Sequence, residues 1–199
     1  MLNSRGKLLR LCHRTRHLFP RRKTIFTLAR KIAEDWEAEP DKNTNKLASY
    51  IKSVLLQLQE VSDNVLFPAL CSLVYVKRLR KRYASFKGEE GCSYRLFSAG
   101  LIVAARTWTS AQAEMGRKKK RWSEIVKLFS DDDLAKMGKE LVYFLGNNLS
   151  IDYCEFVAFF EKNFLENTDA VVPGDEERIF AAGTSNSDFS LLFDNCFDL

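Results

Sequence analysis

Residues 93–108, SYRLFSAGLIVAARTW, form the most apolar stretch of this chain, and from Leu96 to Ala105 Ser98 is the only polar side chain. A helix that is apolar on every side has no face to offer water, so other helices must encase it. The run falls well short of the roughly 20 apolar residues a bilayer requires, which makes it a core helix rather than a membrane span. Its small residues Ala99, Gly100, Ala104 and Ala105 let neighbouring helices come close. A second run, VLFPALCSLVYVKRLRKR from Val65 to Arg82, begins apolar nearly all round and ends basic. It predicts a central helix whose C-terminal end emerges into water, where its cations face the negative end of the helix dipole. Pro68 lies early in that helix, where a missing N–H costs little.

Amphipathic stripes to surround these two helices are present. Ile25, Leu28, Ala29, Ile32, Ala33 and Trp36 recur at helical spacing before Pro40 and predict a helix over 24–37. Leu47, Tyr50, Ile51, Val54, Leu55 and Leu58 predict another over 46–60, and Ser62-Asp63-Asn64 offers turn and N-cap chemistry to the helix beginning at Val65. Trp122, Ile125, Val126 and Phe129 predict a short helix. Ser130 and Asp133 then have capping-box spacing, with aspartate in place of the usual Glu or Gln. The helix they open carries Leu134, Met137, Leu141, Phe144 and Leu145 on one face, and Asn147 and Asn148 end it. Ser150 is placed to cap a last helix bearing Tyr153, Phe156, Val157, Phe160 and Phe164. With no period-2 strand pattern, the fold class is all-α. The expected organisation is a basic flexible head (1–23), an N-terminal helix and linker (24–45), one helical domain (46–165) and an acidic flexible tail (166–199).

Composition narrows the function classes. In 199 residues, 46% are hydrophobic and only 9 are Gly and 4 Pro, which suits a globular core and not a disordered chain. The net charge of +5 is unevenly spread: residues 1–23 hold eight Lys or Arg and no acid, and beyond Phe164 Arg178 is the only base. The five cysteines are odd in number and scattered, with no C-x-x-C pair, so neither a disulfide framework nor a zinc knuckle is indicated and a reducing compartment is expected. The N-terminal residues carry charge without the apolar run of a secretory leader, so secretion is not expected and the nucleus and/or cytoplasm is the expected location. The only histidines, His13 and His17, lie in the basic head; there is no Gly-rich phosphate loop, and no nucleophile has a base nearby in sequence. A binding protein is therefore expected rather than an enzyme, with no cofactor, metal or small-molecule substrate. Cys12-His13-x-x-x-His17 offers three ligand atoms but no further ligand pair, and reads as part of a cationic segment.

Five consecutive helical segments with a nearly all-apolar third, followed by one more amphipathic helix, resemble the cyclin box, with flanking helices before and after it. The resemblance is residue-specific at LVYVKRL (73–79), which is similar to the second box helix of fungal phosphate-pathway (P/U-type) cyclins. It continues through SYRLFSAGLIVAARTW (93–108), RWSEI (121–125) and DLAKMGKELVYFLGNNLSI (133–151), similar to the third, fourth and fifth helices, and covers roughly residues 47–165. It implies a regulatory subunit whose partner is a cyclin-dependent kinase. In the family, a lysine near the end of the third helix and a glutamate in the fifth anchor the kinase. Arg106 stands at the lysine position, keeping the charge in a forked guanidinium. Gly138 stands at the glutamate position, and Glu140 lies about 200° further round the helix. The resemblance thus places the kinase contact at Arg106, Thr107, Trp108 and the face around Gly138. The alternative is a kinase-independent cyclin-fold adaptor or scaffold in transcription. No counterpart of the substrate-docking motif of cell-cycle cyclins is found in 46–60.

Three charged segments stand outside this pattern. Arg117–Arg121 (RKKKR) fits a nuclear-import signal, a phosphate-binding patch or a solvated loop equally well. The basic head lacks the aromatic interleaving that base stacking needs, so nucleic acid is a lesser expectation and electrostatic attachment to an anionic partner is the most it implies. The C-terminal DFSLLFDNCFDL alternates acids with Phe and Leu, as short binding peptides do, or as a tail does that folds back over a groove.

Overall fold

The structure is a computed structural model and describes residues 4–15, 25, 29–30, 32–33, 42–84, 91–109, 118 and 120–160. Among these residues there are seven helices and no strand: α1 (Ser4–Thr15), α2 (Lys42–Gln59), α3 (Leu66–Arg82), α4 (Cys92–Trp108), α5 (Trp122–Val126), α6 (Asp131–Phe144) and α7 (Tyr153–Phe160). The all-α expectation therefore holds for the described residues. Ile25, Ala29, Ile32 and Ala33 are helical and buried, as the stripe over 24–37 requires, and Arg30 is helical and exposed; the rest of that segment lies outside the described residues.

α4 is the hub, touching α2, α3 and α6. It is buried from Phe97 to Ala105, and α3 is buried from Leu66 to Val76 before it turns basic at Arg80, Lys81 and Arg82. The two pack closely because Gly100 faces Ser72: a Cβ at 100 would sit 3.1 Å from the Ser72 Cβ. The Ser72 hydroxyl, buried in this contact, donates to the Ala69 carbonyl at 2.6 Å and so leaves no unmet polar atom between the helices. Tyr50 of α2 donates to the Ser98 hydroxyl of α4 at 2.7 Å, since Ser98 itself donates to the Tyr94 carbonyl. Burial foremost, and then the neighbouring Tyr94, push the Tyr50 phenol up to about 12, so it stays a neutral donor. Phe67 joins α3 to both α4 and α7, with ring centroids 6.2 Å from Trp108 and 5.3 Å from Phe156.

Helix ends show where local chemistry decides and where it does not. Ser130 and Asp133 form the capping box read from their spacing: the Ser130 hydroxyl accepts from the Asp133 N–H at 3.1 Å, and the Ser130 N–H donates to the Asp133 carboxylate at 3.3 Å. The start of α3 differs from expectation. Val65 is the N-cap and makes no side-chain cap, while Ser62 uses its hydroxyl to accept from the Asn64 N–H in the preceding turn. Pro68 at the third helical position removes one of the donors that a cap would serve. α7 also departs: Asp152, not Ser150, accepts from the Cys154 N–H at 2.8 Å, and its carbonyl takes the first helical bond from Phe156 at 3.0 Å. α6 ends at Phe144, three residues before Asn147. Gly146 takes the left-handed conformation (φ 66°), its N–H bonds the Tyr143 carbonyl, and Asn147 N–H bonds that of Val142, both at 2.9 Å. This is a Schellman stop, which glycine enters without strain.

Two further differences concern faces. Phe144, assigned to the core stripe of α6, is 43% exposed because it sits at the stripe's edge on the helix's last turn. On α7, Phe159 is buried beside Phe156; the side chain of Phe160 and all of Phe164 lie outside the described residues. Sequence reading places no element in residues 1–23, yet α1 lies there, its Leu8 fully buried and its length in contact with α3 and α7. A single Leu-rich turn among arginines carries too little periodic signal to announce a helix.

Candidate functional site

The expected site lies where α4 leaves the core. Phe97–Ala105 are buried, and Arg106 and Thr107 are the first exposed residues after that run. Arg106 is the only base in the last turn of α4, at the negative end of its dipole. Thr107 donates its hydroxyl to the Val103 carbonyl at 2.7 Å. Val103, three and four residues before these two, shares their face. Gly138 of α6 packs on that face from the other side, and a Cβ there would meet Val103 Cγ2 at 3.7 Å, an ordinary van der Waals contact. The structure thus brings Arg106, Thr107 and Gly138 to one side of α4, joined through Val103.

Trp108 belongs elsewhere. It is 6% exposed, stacked edge-on against Phe67, and its indole N–H donates to the Tyr75 hydroxyl at 2.8 Å. Tyr75 in turn donates to the Leu149 carbonyl at 2.9 Å. Burial raises the Tyr75 phenol well above its usual range, so the hydroxyl keeps its proton and the chain of donors stays intact. Trp108 therefore anchors the end of α4 from inside rather than presenting a surface.

The segment between α6 and α7 is fastened at the same place. Arg78 of α3 donates through Nε to Glu155 at 2.8 Å and through Nη2 to the other carboxylate oxygen, while its guanidinium also reaches the carbonyls of Ser150 (2.8 Å) and Asn148 (3.3 Å). One side chain holds four oxygens on three successive pieces of chain, the bidentate geometry for which arginine is suited. Neither Tyr75 nor Arg78 is marked as functional by sequence, because they sit in LVYVKRL as one core residue and one of two cations.

Two of the RKKKR cations make contacts within the fold. Lys118 donates to the Glu60 carbonyl at the end of α2 at 2.7 Å, and Arg121 pairs with Glu124 at 3.3 Å and Asp131 at 3.9 Å. Cys12 and His13 lie on α1, but their side chains, and His17 altogether, fall outside the described residues. Cys92 and Cys154 are free thiols, Cys71 is buried, and no group of three metal-ligating side chains occurs among the described residues. No described helix is long and apolar enough to cross a membrane.

A second cluster escaped sequence reading. Tyr83, at the end of α3, meets Phe144 edge-on at 5.7 Å, and Phe144 meets Tyr143 at the same distance. Arg82 lies over the Tyr83 ring at 5.8 Å and donates to the Phe144 carbonyl at 3.2 Å. No family model, curated protein or solved structure gives a match to the chain.

Proposed function

We propose that the chain is a cyclin-box regulatory subunit, built on the five helices α2–α6, that binds a cyclin-dependent protein kinase and stabilises its active arrangement. A regulator of this kind acts by differential affinity for one state of its partner, so its contact surface must be rigid. The observation that carries the reading is the end of α4. Arg106 and Thr107 follow the buried run Phe97–Ala105 of a helix whose last turn is tied down by Trp108 and Tyr75, and by the resemblance Arg106 corresponds to the family's kinase-anchoring lysine. Gly138, buried, packs against Val103 of the same helix face. The chain itself is non-catalytic in this reading, and acts in the nucleus and/or cytoplasm.

The second reading, a kinase-independent cyclin-fold adaptor or scaffold in transcription, is favoured by Gly138. Its place in the family's motif belongs to a glutamate, and here the position is buried against Val103, with no carboxylate to offer. Purified full-length chain assayed against a panel of cyclin-dependent kinases separates the two. The first reading expects one kinase to bind with a Kd of about 1 μM or tighter and to gain activity toward a peptide substrate. Failure of every kinase to bind at concentrations tenfold higher leaves the adaptor reading.

A further inference from the structure

Where α3 and α6 end side by side, the molecule exposes aromatic rings among cations. Tyr143 is 73% and Phe144 43% exposed, the first far beyond what a ring in a monomer's surface needs to be. They are continuous with Tyr83 through edge-to-face contacts of 5.7 Å. Arg80, Lys81 and Arg82, all exposed, close α3, and exposed Lys139 lies one turn before Tyr143 on α6. Glu140, partly buried one turn before Phe144, is the carboxylate on that part of α6. The patch is held open by its own construction. Arg82 reaches the Phe144 carbonyl across Gly146, where a Cβ would come within 2.8 Å of the guanidinium. Aromatic edges bordered by guanidinium and ammonium groups suit a ligand that alternates carboxylates with aromatic or branched apolar side chains.

The chain carries such a segment. We infer that its own C-terminal residues, Asp188–Leu199, dock on the Tyr83–Tyr143–Phe144 patch. The sequence DFSLLFDNCFDL has three Asp, three Phe and three Leu, with no base after Arg178. Geometry places its origin close to the patch. The Lys77 ammonium lies 5.0 Å from the centre of the Phe159 ring, so the last turn of α7 sits against α3 only five residues before Arg82. The 27 residues from 161 to 187 separate α7 from the segment. As an unstructured linker they would have a root-mean-square reach of roughly 30 Å, about the width of a domain this size. Tethering at that length supplies an effective concentration in the millimolar range, so a contact of modest intrinsic affinity is populated.

Hydrogen–deuterium exchange of the full-length chain, resolved by peptide, tests this without relation to the kinase reading. Amides of 188–199 are expected to exchange about tenfold or more slower than an unstructured reference, equally at low and tenfold higher protein concentration. Tyr143→Ser, at a site too exposed to disturb folding, should return them to the reference rate with the far-UV circular dichroism unchanged. Phe193→Ser and Asp194→Lys, made in the tail itself, should do the same and should speed exchange around 140–146. Reference-rate exchange in the unaltered chain overturns the inference, as does protection that survives Tyr143→Ser. Protection that vanishes on dilution also overturns it, because the occupant would then be the tail of a second copy.

Discussion

The Tyr75 hydroxyl is the single atom on which the end of α4 depends. It accepts from Trp108 and donates to Leu149, joining α3, α4 and the chain before α7 through two bonds. Tyr75→Phe keeps the ring and its packing but leaves a buried indole N–H and a carbonyl without their partner. Unmet buried groups cost about 1–3 kcal/mol each, so a loss of roughly 2–4 kcal/mol is expected in urea unfolding, with no change in helix content. The two helical glycines make a second test at this scale, and they should respond oppositely to the same substitution. Gly138→Ala places a methyl at ordinary contact distance from Val103 and gains up to about 1 kcal/mol of helix propensity. Gly100→Ala gains the same propensity but drives the methyl to 3.1 Å from Ser72 Cβ, on a buried helix that cannot yield easily. Overpacking of that kind costs about 1–3 kcal/mol, so the net effect is destabilising. The sequence marks Gly100 as a point of close approach and Gly138 only as a motif position; the distances are what distinguish their responses.

At the scale of elements, the chain's helix signals were legible where they are periodic or local in chemistry. The apolar runs of α3 and α4 and the Ser130–Asp133 box lie where the sequence places them. The box also makes a pH prediction. The hydrogen bonds from the Ser130 hydroxyl, and then from its N–H, hold the Asp133 carboxyl below its usual 3.8. A carboxyl whose folded pKa is depressed adds stability above its unfolded value, and that contribution is lost as pH falls through the lower, folded value. Ser130→Ala should therefore cost about 1 kcal/mol at neutral pH. Its deficit against the unaltered chain, followed by thermal melting, should narrow as pH drops below 3.8 without disappearing, because the Asp133 N–H still bonds the Ser130 hydroxyl. A constant deficit would show that the carboxylate adds nothing. The starts of α3 and α7 were not legible in the same way. Ser62 and Ser150 have the right chemistry, but which polar residue caps depends on the φ and ψ the chain adopts there, and those follow from how each helix is docked.

For the whole molecule the decisive residue is Arg106, the exposed cation that follows the buried run Phe97–Ala105 of the hub helix. If it anchors a kinase, Arg106→Ala should lower affinity by about thirtyfold, roughly 2 kcal/mol, while the melting temperature moves little. Arg106→Lys should keep much of the affinity if a point charge suffices. A cation that only complements the dipole of α4 would instead lose about 0.3–1 kcal/mol of stability on truncation, with binding unchanged. Side-by-side melting and kinase titration of the two variants resolves which role it has.

From residue types and their spacing alone follow the all-α class, the two encased helices, the exposed basic end of α3 and the emergence of Arg106 from an apolar run. These are one-dimensional properties: periodicity reports which faces are apolar, and charge reports where a helix meets water. The resemblance to the cyclin box rests on the same kind of pattern, in the order of segments. What the tertiary structure decided is which side chains share a place. Trp108 and Arg106 are two residues apart in sequence, yet one turns into the core and the other to solvent, because their directions on a helix differ by about 200°. Tyr83, Tyr143 and Phe144 look unrelated along the chain and become one surface only because α3 and α6 end side by side. Arg78 appears as one cation in a basic stretch, and its partners lie about 70 residues away, on the Asn148, Ser150 and Glu155 that packing brings to it. Contacts between distant residues depend on how helices dock, and a helix's own periodicity carries no information about its neighbour.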